Sequence, residues 1–368
     1  MIIRKNIPLL PALCAAMAAL GLTRPAVAAS VHEAAPPAAH NVVFALAPGE
    51  DCADALQALI DANPQRAIHI PDGVYVLSHP VCTPASPSRA VALRLSDFAI
   101  LRAAPDWAHT NAMVRLGGKN PANNAEHPCS VYGLYGGVVD GAGVADAISI
   151  ESGRETRVQN VAIRNARVGI HVFWGANGGS ADCDIRDIEM TGNSAPDSIG
   201  LLVEACDNTF SNFRIFKFRT GVRLRGAGNF LTNVHPLCWR DSGRAYPEET
   251  VGFYDTSANN CYSRCYSDQF STAWLFGPRS NNAVLNGCCC YWYDSGIDVH
   301  HTALRCEGQF RALVDDFWAG FRDNCGTNAV LLVGEPGGHG VIRDIRLDES
   351  RLNSADERFR EYFVGRIH

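Results

Sequence analysis

The sequence contains little that would suit a membrane-embedded, nucleic-acid-binding or helical protein. Beyond its first 28 residues, no apolar run is long enough to span a bilayer. Lys and Arg number 32 against 38 Asp and Glu, giving a net charge of −6, which argues against nucleic acid as the main partner. No apolar stripe with helical spacing runs through the centre of the chain. The Cys288-Cys289-Cys290 run lacks the CxxC spacing of common zinc sites, so no metal is expected there.

The first 28 residues have the pattern of a signal peptide. Arg4 and Lys5 provide the positive start, an apolar run follows to Leu22, and small residues stand at 26–28. An uncleaved anchor is the weaker alternative, because Pro8 and Pro11 interrupt a short run. We therefore expect a secreted or periplasmic protein with no membrane contact after cleavage, and a linker over residues 29–50.

Cysteine is abundant, with 14 in the chain. Cys14 belongs to the predicted signal peptide, which leaves an odd number in the mature protein. Export to an oxidising space favours disulfides. A Cys52–Cys82 bridge would staple the N-terminal end, although pairing does not follow from sequence alone.

Six stretches of the chain share one register. Two residues after the aligned positions Thr156, Cys183, Asn208, Asn229, Asn260 and Asn282, the residue is always apolar: Val158, Ile185, Phe210, Leu231, Tyr262 and Val284. A second set of mostly apolar positions, preceded in most units by Asn or Asp, follows three residues later: Val161, Ile188, Phe213, Val234, Cys265 and Gly287. Units of about 21 to 31 residues are within the range of solenoid repeats, which bury their core by stacking.

The local pattern within these units is that of strands. Apolar residues alternate with period two, and Asn stands at the bends, where it tolerates left-handed backbone. Asn side chains stacked from coil to coil can also hydrogen-bond to one another. We therefore predict an all-β, parallel β-helix over residues 51–350, with a cap or tail over 351–368. Uneven unit lengths place inserted loops at one or two corners.

A short helix is predicted before the first coil. Asp54 and Gln57 fit a capping box, and the helix is expected to end near Asn63. Such a helix would cover the open end of a β-helix, whose unpaired edge would otherwise invite aggregation.

These segments resemble a known superfamily. The order Leu56-Gln57…Ile60-Asp61-Ala62…Ile70-Pro71-x-Gly73-x-Tyr75-x-Leu77 is similar to the N-terminal signature of pectate-lyase-like (pectin-lyase-fold) proteins. The segment from Gly136 to Gly143 is similar to their G-G-x-x-D-G-x-G coil. The resemblance implies a right-handed parallel β-helix. It does not fix the reaction, because the superfamily includes lyases, glycoside hydrolases, epimerases, fructan-cleaving transferases and phage tailspikes. Its trimeric members make a homotrimer one possible assembly.

The polygalacturonase pattern of this superfamily is incomplete here. Gly338-His339-Gly340 is present, but the chain has no Arg-x-Lys after it. We interpret this segment as a tight turn rather than a catalytic motif.

A column of titratable residues is predicted on the outer surface. The outward position in successive units is Ala162, Glu189, Arg214, His235, Tyr266 and Cys288, about 5 Å apart from coil to coil. The candidate catalytic residues are Glu189, Arg214, His235, Tyr266 and Arg240. The null hypothesis is an ordinary solvated surface.

The longest insertion, residues 236–250, follows His235. An aromatic ring, an Arg and carboxylates beside a sheet suit a sugar ligand, and a loop held by its own aromatic residues is the alternative. The candidate substrate-binding residues are Trp239, Asp241, Glu248, Glu249, Asp268 and Arg223. A run of basic residues, namely Arg214, Lys217, Arg219, Arg223 and Arg225, suggests an anionic ligand such as a uronate-containing polysaccharide.

Two reactions and one non-catalytic role fit these residues. A lyase would use Arg214 or Arg240 to neutralise a uronate and His235 or Tyr266 as the base. A glycoside hydrolase or fructan-type transferase would use two carboxylates, from the set Glu189, Glu248, Glu249, Asp255 and Asp268. A glycan-binding adhesin or spike is the third possibility.

No cofactor is required by any of these roles. Ca²⁺ is possible through Asp182, Asp184, Asp187 and Glu189. A second corner of the coil is the reserve site, with His171, Trp174, Asp298, His300 and His301.

Overall fold

A computed structural model describes most of the chain after residue 41. The described residues are 42–45, 47, 49–84, 90–117, 133–175, 179–238, 249–292, 301–321, 328–347 and 359–367. The predicted signal peptide and most of the predicted linker lie outside them. Within the described part, no helix has the length and apolar character needed to cross a membrane.

The described residues form one helix and a long series of strands, numbered here in chain order. The helix is α1 (Ala53–Ala62). The strands are β1 (Val42–Val43), β2 (Arg66–Ile70), β3 (Gly73–Leu77), β4 (Val81–Cys82), β5 (Val91–Leu95), β6 (Ala99–Ala103), β7 (Val114–Leu116), β8 (Gly133–Tyr135), β9 (Val138–Asp140), β10 (Ile148–Glu151), β11 (Arg157–Gln159), β12 (Ala162–Ala166), β13 (Val168–Phe173), β14 (Asp184–Gly192), β15 (Ile199–Val203), β16 (Thr209–Phe216), β17 (Thr220–Leu224), β18 (Phe230–Leu237), β19 (Val251–Asp255), β20 (Cys261–Ser263), β21 (Tyr266–Asp268), β22 (Thr272–Phe276), β23 (Val284–Asn286), β24 (Cys289–Trp292), β25 (His301–Cys306), β26 (Leu313–Phe321), β27 (Asn328–Val333) and β28 (Val341–Leu347).

The strands stack into two parallel sheets, one of 18 strands and one of ten. Each coil contributes one strand to the ten-stranded sheet and one long or two short strands to the larger sheet. Every strand pairs in parallel with its equivalent in the next coil, as in β14 with β16 and β16 with β18. The predicted fold class, an all-β, right-handed parallel β-helix with a short N-terminal helix, is confirmed.

The larger sheet is bent along one line into two arms. The bend falls at residues with left-handed backbone: Asn160, Asp187, Asn212, Asn233, Arg264, Gly287, Asp316 and Asp344, with φ between 41° and 61°. The first arm precedes this line and includes β11, β20 and β23. The second arm follows it and includes β12, β21 and β24. The sequence predicted Asn and Asp at this bend, but in one coil the left-handed residue is Gly287 and not Asn286.

The predicted core column is confirmed in five of its six positions. Val158, Ile185, Phe210, Leu231 and Tyr262 are directly paired from coil to coil and buried. The sixth member is Leu285, which pairs with Tyr262, and not Val284 as predicted. The aligned Asn282 is a left-handed residue, like Asn259 one coil earlier, so the register of this coil begins one residue later.

A ladder of three buried Asn side chains connects four successive coils. The Oδ1 atoms of Asn208, Asn229 and Asn260 accept hydrogen bonds from the backbone N–H of Cys183, Asn208 and Asn229 at 2.9–3.1 Å. The Asn229 amide also donates to the carbonyl oxygens of Ala205 and Gly226. The ladder satisfies polar groups at a buried corner and holds adjacent coils in register. The predicted Asn stacking is confirmed here.

The N-terminal helix begins earlier than predicted, and its capping differs. Its N-cap residue is Cys52, and Asp54 lies inside the first turn, so the predicted capping box is wrong. The backbone N–H of Ala53 donates instead to Asp51. The helix ends before Asn63, as predicted. Strand β1, which pairs with β2, lies within the segment expected to be a linker, so coil structure starts before residue 51.

Cys52 and Cys82 are both free thiols, in contrast to the predicted bridge. Burial raises the pKa of Cys52 to about 11, and its Sγ donates to the carbonyl oxygen of Val76. Gln57 links the helix to the first coil in place of a disulfide. Its side-chain amide accepts from Cys82 N–H at 2.7 Å and donates to Cys82 C=O at 3.1 Å.

The chain end lies on the last coil. Phe359 is buried, and residues Phe363 and Ile367 form single bridges to β28 at Ile342 and Ile345. This covers part of the final strand edge, which would otherwise present unpaired backbone groups.

A carboxylate, that of Asp255, lies in the described part of the core. Asp255 is 0% exposed and accepts hydrogen bonds from the Tyr262 hydroxyl, the Asn260 amide and the Ser257 N–H at 2.9–3.0 Å. Burial raises its pKa from 3.8 to about 6, against the opposing effect of these donors. Asp255 therefore cannot contact a polysaccharide, and its candidacy as a catalytic carboxylate is wrong.

We predict that Asn229→Ala lowers the free energy of unfolding by about 3 kcal/mol. Each buried polar group left without a partner costs about 1–3 kcal/mol. This substitution removes the partner of the Asn208 N–H and of the carbonyl oxygens of Ala205 and Gly226. Urea unfolding followed by circular dichroism measures the change. Thr232→Ala, at an exposed position of the following strand β18, is the control and should change stability by less than about 0.5 kcal/mol. Equal effects of the two substitutions would contradict a structural role for the ladder.

Asp255 should make stability depend on pH in an identifiable window. Its folded-state pKa exceeds the unfolded value, so the protonated form stabilises the protein fully below about pH 4, and this contribution is lost as pH rises through about 6. Between pH 4 and 7, the wild type should lose about 3 kcal/mol relative to Asp255→Asn, whose amide can keep all three contacts. Urea unfolding of both proteins across this range measures the difference. Parallel pH profiles would contradict the account.

Candidate functional site

The predicted polar column exists on the second arm of the larger sheet. Glu189 pairs with Ala162 and with Arg214, and Arg214 pairs with His235. The pairing of Leu237 with Asp268 puts His235 beside Tyr266. The next member is Cys289, not Cys288 as predicted, because the register of this coil begins one residue later. Cys288 lies in the core, where its thiol hydrogen-bonds with Cys265.

His235, Tyr266 and Asp268 form a compact cluster in this column. The His235 and Tyr266 rings stack with centroids 4.3 Å apart and planes 19° from parallel. His235 Nε2 lies 3.7 Å from Asp268 Oδ2. Asp268 is only 8% exposed. Within the described residues, His235 Nε2 and Asp268 Oδ1 are buried atoms with no hydrogen-bond partner.

The surroundings of Tyr266 oppose its ionisation. Burial raises the pKa of its hydroxyl, and the charge of Asp268 and a hydrogen bond to that carboxylate raise it further. Tyr266 is therefore neutral across the physiological range. It can orient Asp268 and the imidazole, but it cannot serve as a tyrosinate base.

Arg214 and Glu189 continue the column beyond His235, one and two coils away. Both side chains are exposed, and Arg214 donates one hydrogen bond to the carbonyl oxygen of Phe213 at 3.2 Å. The Arg214 guanidinium is thus a cation available next to the imidazole. Glu189 is three coil steps from Tyr266, or about 14 Å along the stack.

The predicted basic run is divided between two surfaces. Arg214 is on the second arm, whereas Arg223 and Arg225 are on the ten-stranded sheet and Arg219 is buried at the corner between them. Arg225 forms an ion pair with Glu204. The Arg223 guanidinium lies over the Tyr254 ring at 4.9 Å, and burial lowers its pKa. A single anion-binding patch from Arg214 to Arg225 is therefore wrong.

The outer face of the ten-stranded sheet has its own polar network. Glu204 binds both Arg225 and His171, the latter at 3.0 Å, and His171 stacks on Phe173. Burial opposes ionisation of Glu204, but these hydrogen bonds outweigh it and lower its pKa. Glu249 also lies at this sheet, where Thr272 and Arg305 bind it. Two predicted substrate-binding residues, Arg223 and Glu249, are thus separated from the His235 cluster.

Several other candidates can be placed or set aside. Trp239, Arg240, Asp241, Glu248, Asp298 and His300 lie outside the described residues. His301 is fully buried against Trp292, which removes it from the reserve site, whereas Trp174 is 60% exposed. His339, from the Gly-His-Gly segment, contacts Asn282 in a loop.

The inserted segment after His235 begins next to the cluster. Leu237 pairs with Asp268, and the N–H of Cys238 donates to the Asp268 carbonyl oxygen at 2.9 Å. Residues 239–248 then connect this edge of the second arm to β19. Connections between these two surfaces also contain residues 293–300 and 322–327. A long connection through residues 118–132 leads from the ten-stranded sheet back to the first arm, so long connections occur at two corners, within the one or two expected.

The acidic residues considered for Ca²⁺ do not converge. Asp182 binds Arg154, Asp184 accepts from Gln159 and Asp187 accepts from Asn212. In the described parts of the chain, no group of three or more His, Cys, Asp or Glu side chains could hold a metal ion.

One exposed aromatic residue on this surface was not among the predicted candidates. Trp318 pairs with Cys289 and thus continues the polar column, and Arg346 follows it in the next coil. The signal is present in the sequence: each column member stands two residues after a left-handed bend. Asp316 is such a bend, so the same count leads to Trp318.

Comparison with known proteins supports the fold and gives no family. No protein-family model matches the chain, and no curated protein matches it. A variant of the tailspike protein of E. coli bacteriophage HK620, solved with a pentasaccharide, has a TM-score of 0.59 at 13% identity. The alignment covers 84% of this chain and 66% of the tailspike chain, so this chain spans just under two-thirds of that protein. An alginate lyase from Paenibacillus sp. str. FPU-7 has a TM-score of 0.56 at 14% identity, covering 80% of this chain and 99% of the lyase.

Proposed function

We propose that this protein is an exported enzyme of the pectate-lyase-like superfamily that cleaves a uronate-containing polysaccharide by β-elimination. The observation that carries the proposal is the His235–Tyr266–Asp268 cluster with the exposed cation of Arg214 one coil away. A base and a neutralising cation on one open surface are the two groups that this reaction needs.

The reaction assigns a separate role to each residue. Arg214 binds the uronate carboxylate and lowers the energy of the carbanion-like transition state. With Nε2 protonated toward Asp268, the lone pair of His235 Nδ1 removes the proton on the carbon next to the carboxylate. The electrons of that C–H bond form the new C=C bond, the C–O bond to the leaving sugar breaks with its electron pair on oxygen, and that oxygen takes a proton from water. Asp268 stabilises the imidazolium, and Tyr266 holds Asp268 and the imidazole in place.

The described carboxylates support elimination over hydrolysis. Glycoside hydrolysis by two carboxylates requires a separation of about 5–9.5 Å. Glu189 is about 14 Å along the stack from the coil that holds Asp268, Glu249 is on another sheet, and Asp255 is buried. Among the described residues, the His235 cluster is therefore better suited to proton abstraction.

The structural neighbours are consistent with a polysaccharide ligand. One is named an alginate lyase, and the other was solved with a pentasaccharide. At such low identity they indicate the fold alone, so the substrate class rests on the Arg214–His235 arrangement. A glycan-binding protein without activity is the second candidate, since the same surface could bind a saccharide without cleaving it.

We expect turnover of an anionic polysaccharide such as alginate or polygalacturonate. Elimination creates a conjugated double bond that absorbs in the ultraviolet, whereas hydrolysis creates only a new reducing end. Ultraviolet absorbance and reducing-end assays on a panel of anionic and neutral polysaccharides distinguish the two reactions. Reducing ends without absorbance, or a neutral substrate only, would contradict the proposal. Binding without either product would favour the glycan-binding alternative.

Substitutions of His235 and Arg214 should distinguish the role of the base from that of the neutralising cation. His235→Ala should lower kcat by about 100-fold or more, which is the usual contribution of a general base. Arg214→Ala should raise KM and lower kcat. Salt should inhibit this variant less than it inhibits the wild type, because the substitution removes an exposed charge that salt would otherwise screen. Steady-state kinetics at several salt concentrations measures both. Arg186→Ala, an exposed Arg on the first arm, is the control and should retain activity. Full activity of His235→Ala would place the base elsewhere.

A further inference from the structure

An aromatic pair on the second arm has no role in the proposed reaction. Trp318 and Tyr291 stack with ring centroids 5.7 Å apart and planes 18° from parallel. Trp318 is on the outward side of β26 and is 42% exposed. A Trp that keeps this much apolar surface in water, although a partner ring lies beside it, presents a flat and rigid surface to a ligand.

Gly320 explains why the two rings lie down on the sheet. It pairs directly with Tyr291, and a Cβ atom at Gly320 would come within 2.6 Å of Tyr291 Cδ2 and 2.7 Å of Trp318 Cζ2. Any larger residue would lift both rings off the backbone. The aromatic surface is therefore already formed in the absence of ligand, which lowers the entropy cost of binding.

The aromatic pair continues the line of the proposed reaction site. One column runs from Tyr266 through Cys289 to Trp318, and a second runs from Asp268 through Tyr291 to Gly320. Trp318 is two coil steps from Tyr266, or about 10 Å. The small, half-buried Cys289 between them leaves the path along the surface open.

We propose that Trp318 and Tyr291 form a sugar-stacking subsite for the same polysaccharide chain that reacts at His235. The inference rests on the proposed function and adds the orientation of the substrate chain on the protein surface. The chain lies along the helix axis, across successive coils, with one pyranose on the Trp318 ring and the reacting sugar near His235. Aromatic rings bind the apolar face of a pyranose, so the subsite contributes affinity to long substrates and none to short ones.

Chain-length dependence tests this subsite. Trp318→Ala should weaken binding of long uronate oligosaccharides about 10-fold, as expected for one aromatic contact, and should leave di- and trisaccharides unaffected. Titration calorimetry on the His235→Ala background measures binding without turnover. Trp318→Phe should recover part of the affinity, and Gly320→Ala should weaken it while both rings remain. Phe230→Ala, an exposed aromatic residue on the first arm, is the matched control.

The possible outcomes distinguish failure of the subsite proposal from failure of the proposed reaction. If Trp318→Ala cleaves and binds long chains as the wild type does, the subsite is wrong and the proposed reaction stands. Equal losses on short and long substrates would also overturn it, because they would indicate a role in the reaction site itself. A change in molecular mass by light scattering, with saccharide binding unchanged, would show that the rings contact a second copy of the chain. Failure of the wild type to bind any polysaccharide would overturn both proposals.

Discussion

The in-register pairing of successive coils is the constraint on which the rest of the structure depends. Parallel strands alternate their side chains with period two, so a slip of one residue would move a whole apolar set to the surface. Here the register is held by backbone hydrogen bonds and by two sets of side chains. The buried ladder of Asn208, Asn229 and Asn260 fixes one corner. At the bend, the Asn212 amide donates to Asp187 and the Asn233 amide donates to Asn212.

The same register creates the candidate site. Left-handed residues turn each coil at the same point, and the residue two places later faces outward in every coil. Glu189, Arg214, His235 and Tyr266 are distant in sequence but adjacent in space for this reason alone. No loop is needed to bring the imidazole, the guanidinium and the Trp318 ring onto one surface, because the stack already aligns them.

Most of the fold could be predicted from the sequence, because β-helix coils repeat their apolar and bend positions. The errors in the repeat alignment occurred where the register of one coil is shifted by a single residue. Asn282 was aligned with Asn260, yet it is equivalent to Asn259, and this displaced Leu285 and Cys289 by one place.

The predicted basic patch from Arg214 to Arg225 was wrong because a corner between those residues turns the chain from one sheet to the other. The burial of Asp255 could not be predicted from the sequence. Three hydrogen-bond donors offset the cost of removing its carboxyl group from water, and they come together only in the folded structure. The stacking of His235 on Tyr266 was only partly predictable: the register gave the neighbours, but not the approach of Asp268.

The central proposal is that an anionic polysaccharide binds along the second arm of the larger sheet. The most direct measurement is a crystal structure of the His235→Ala variant with a uronate oligosaccharide. We predict a saccharide that lies across successive coils, with a carboxylate bound to the Arg214 guanidinium and a pyranose on the Trp318 ring. A saccharide bound on the ten-stranded sheet, near His171 and Arg223, would contradict the proposal.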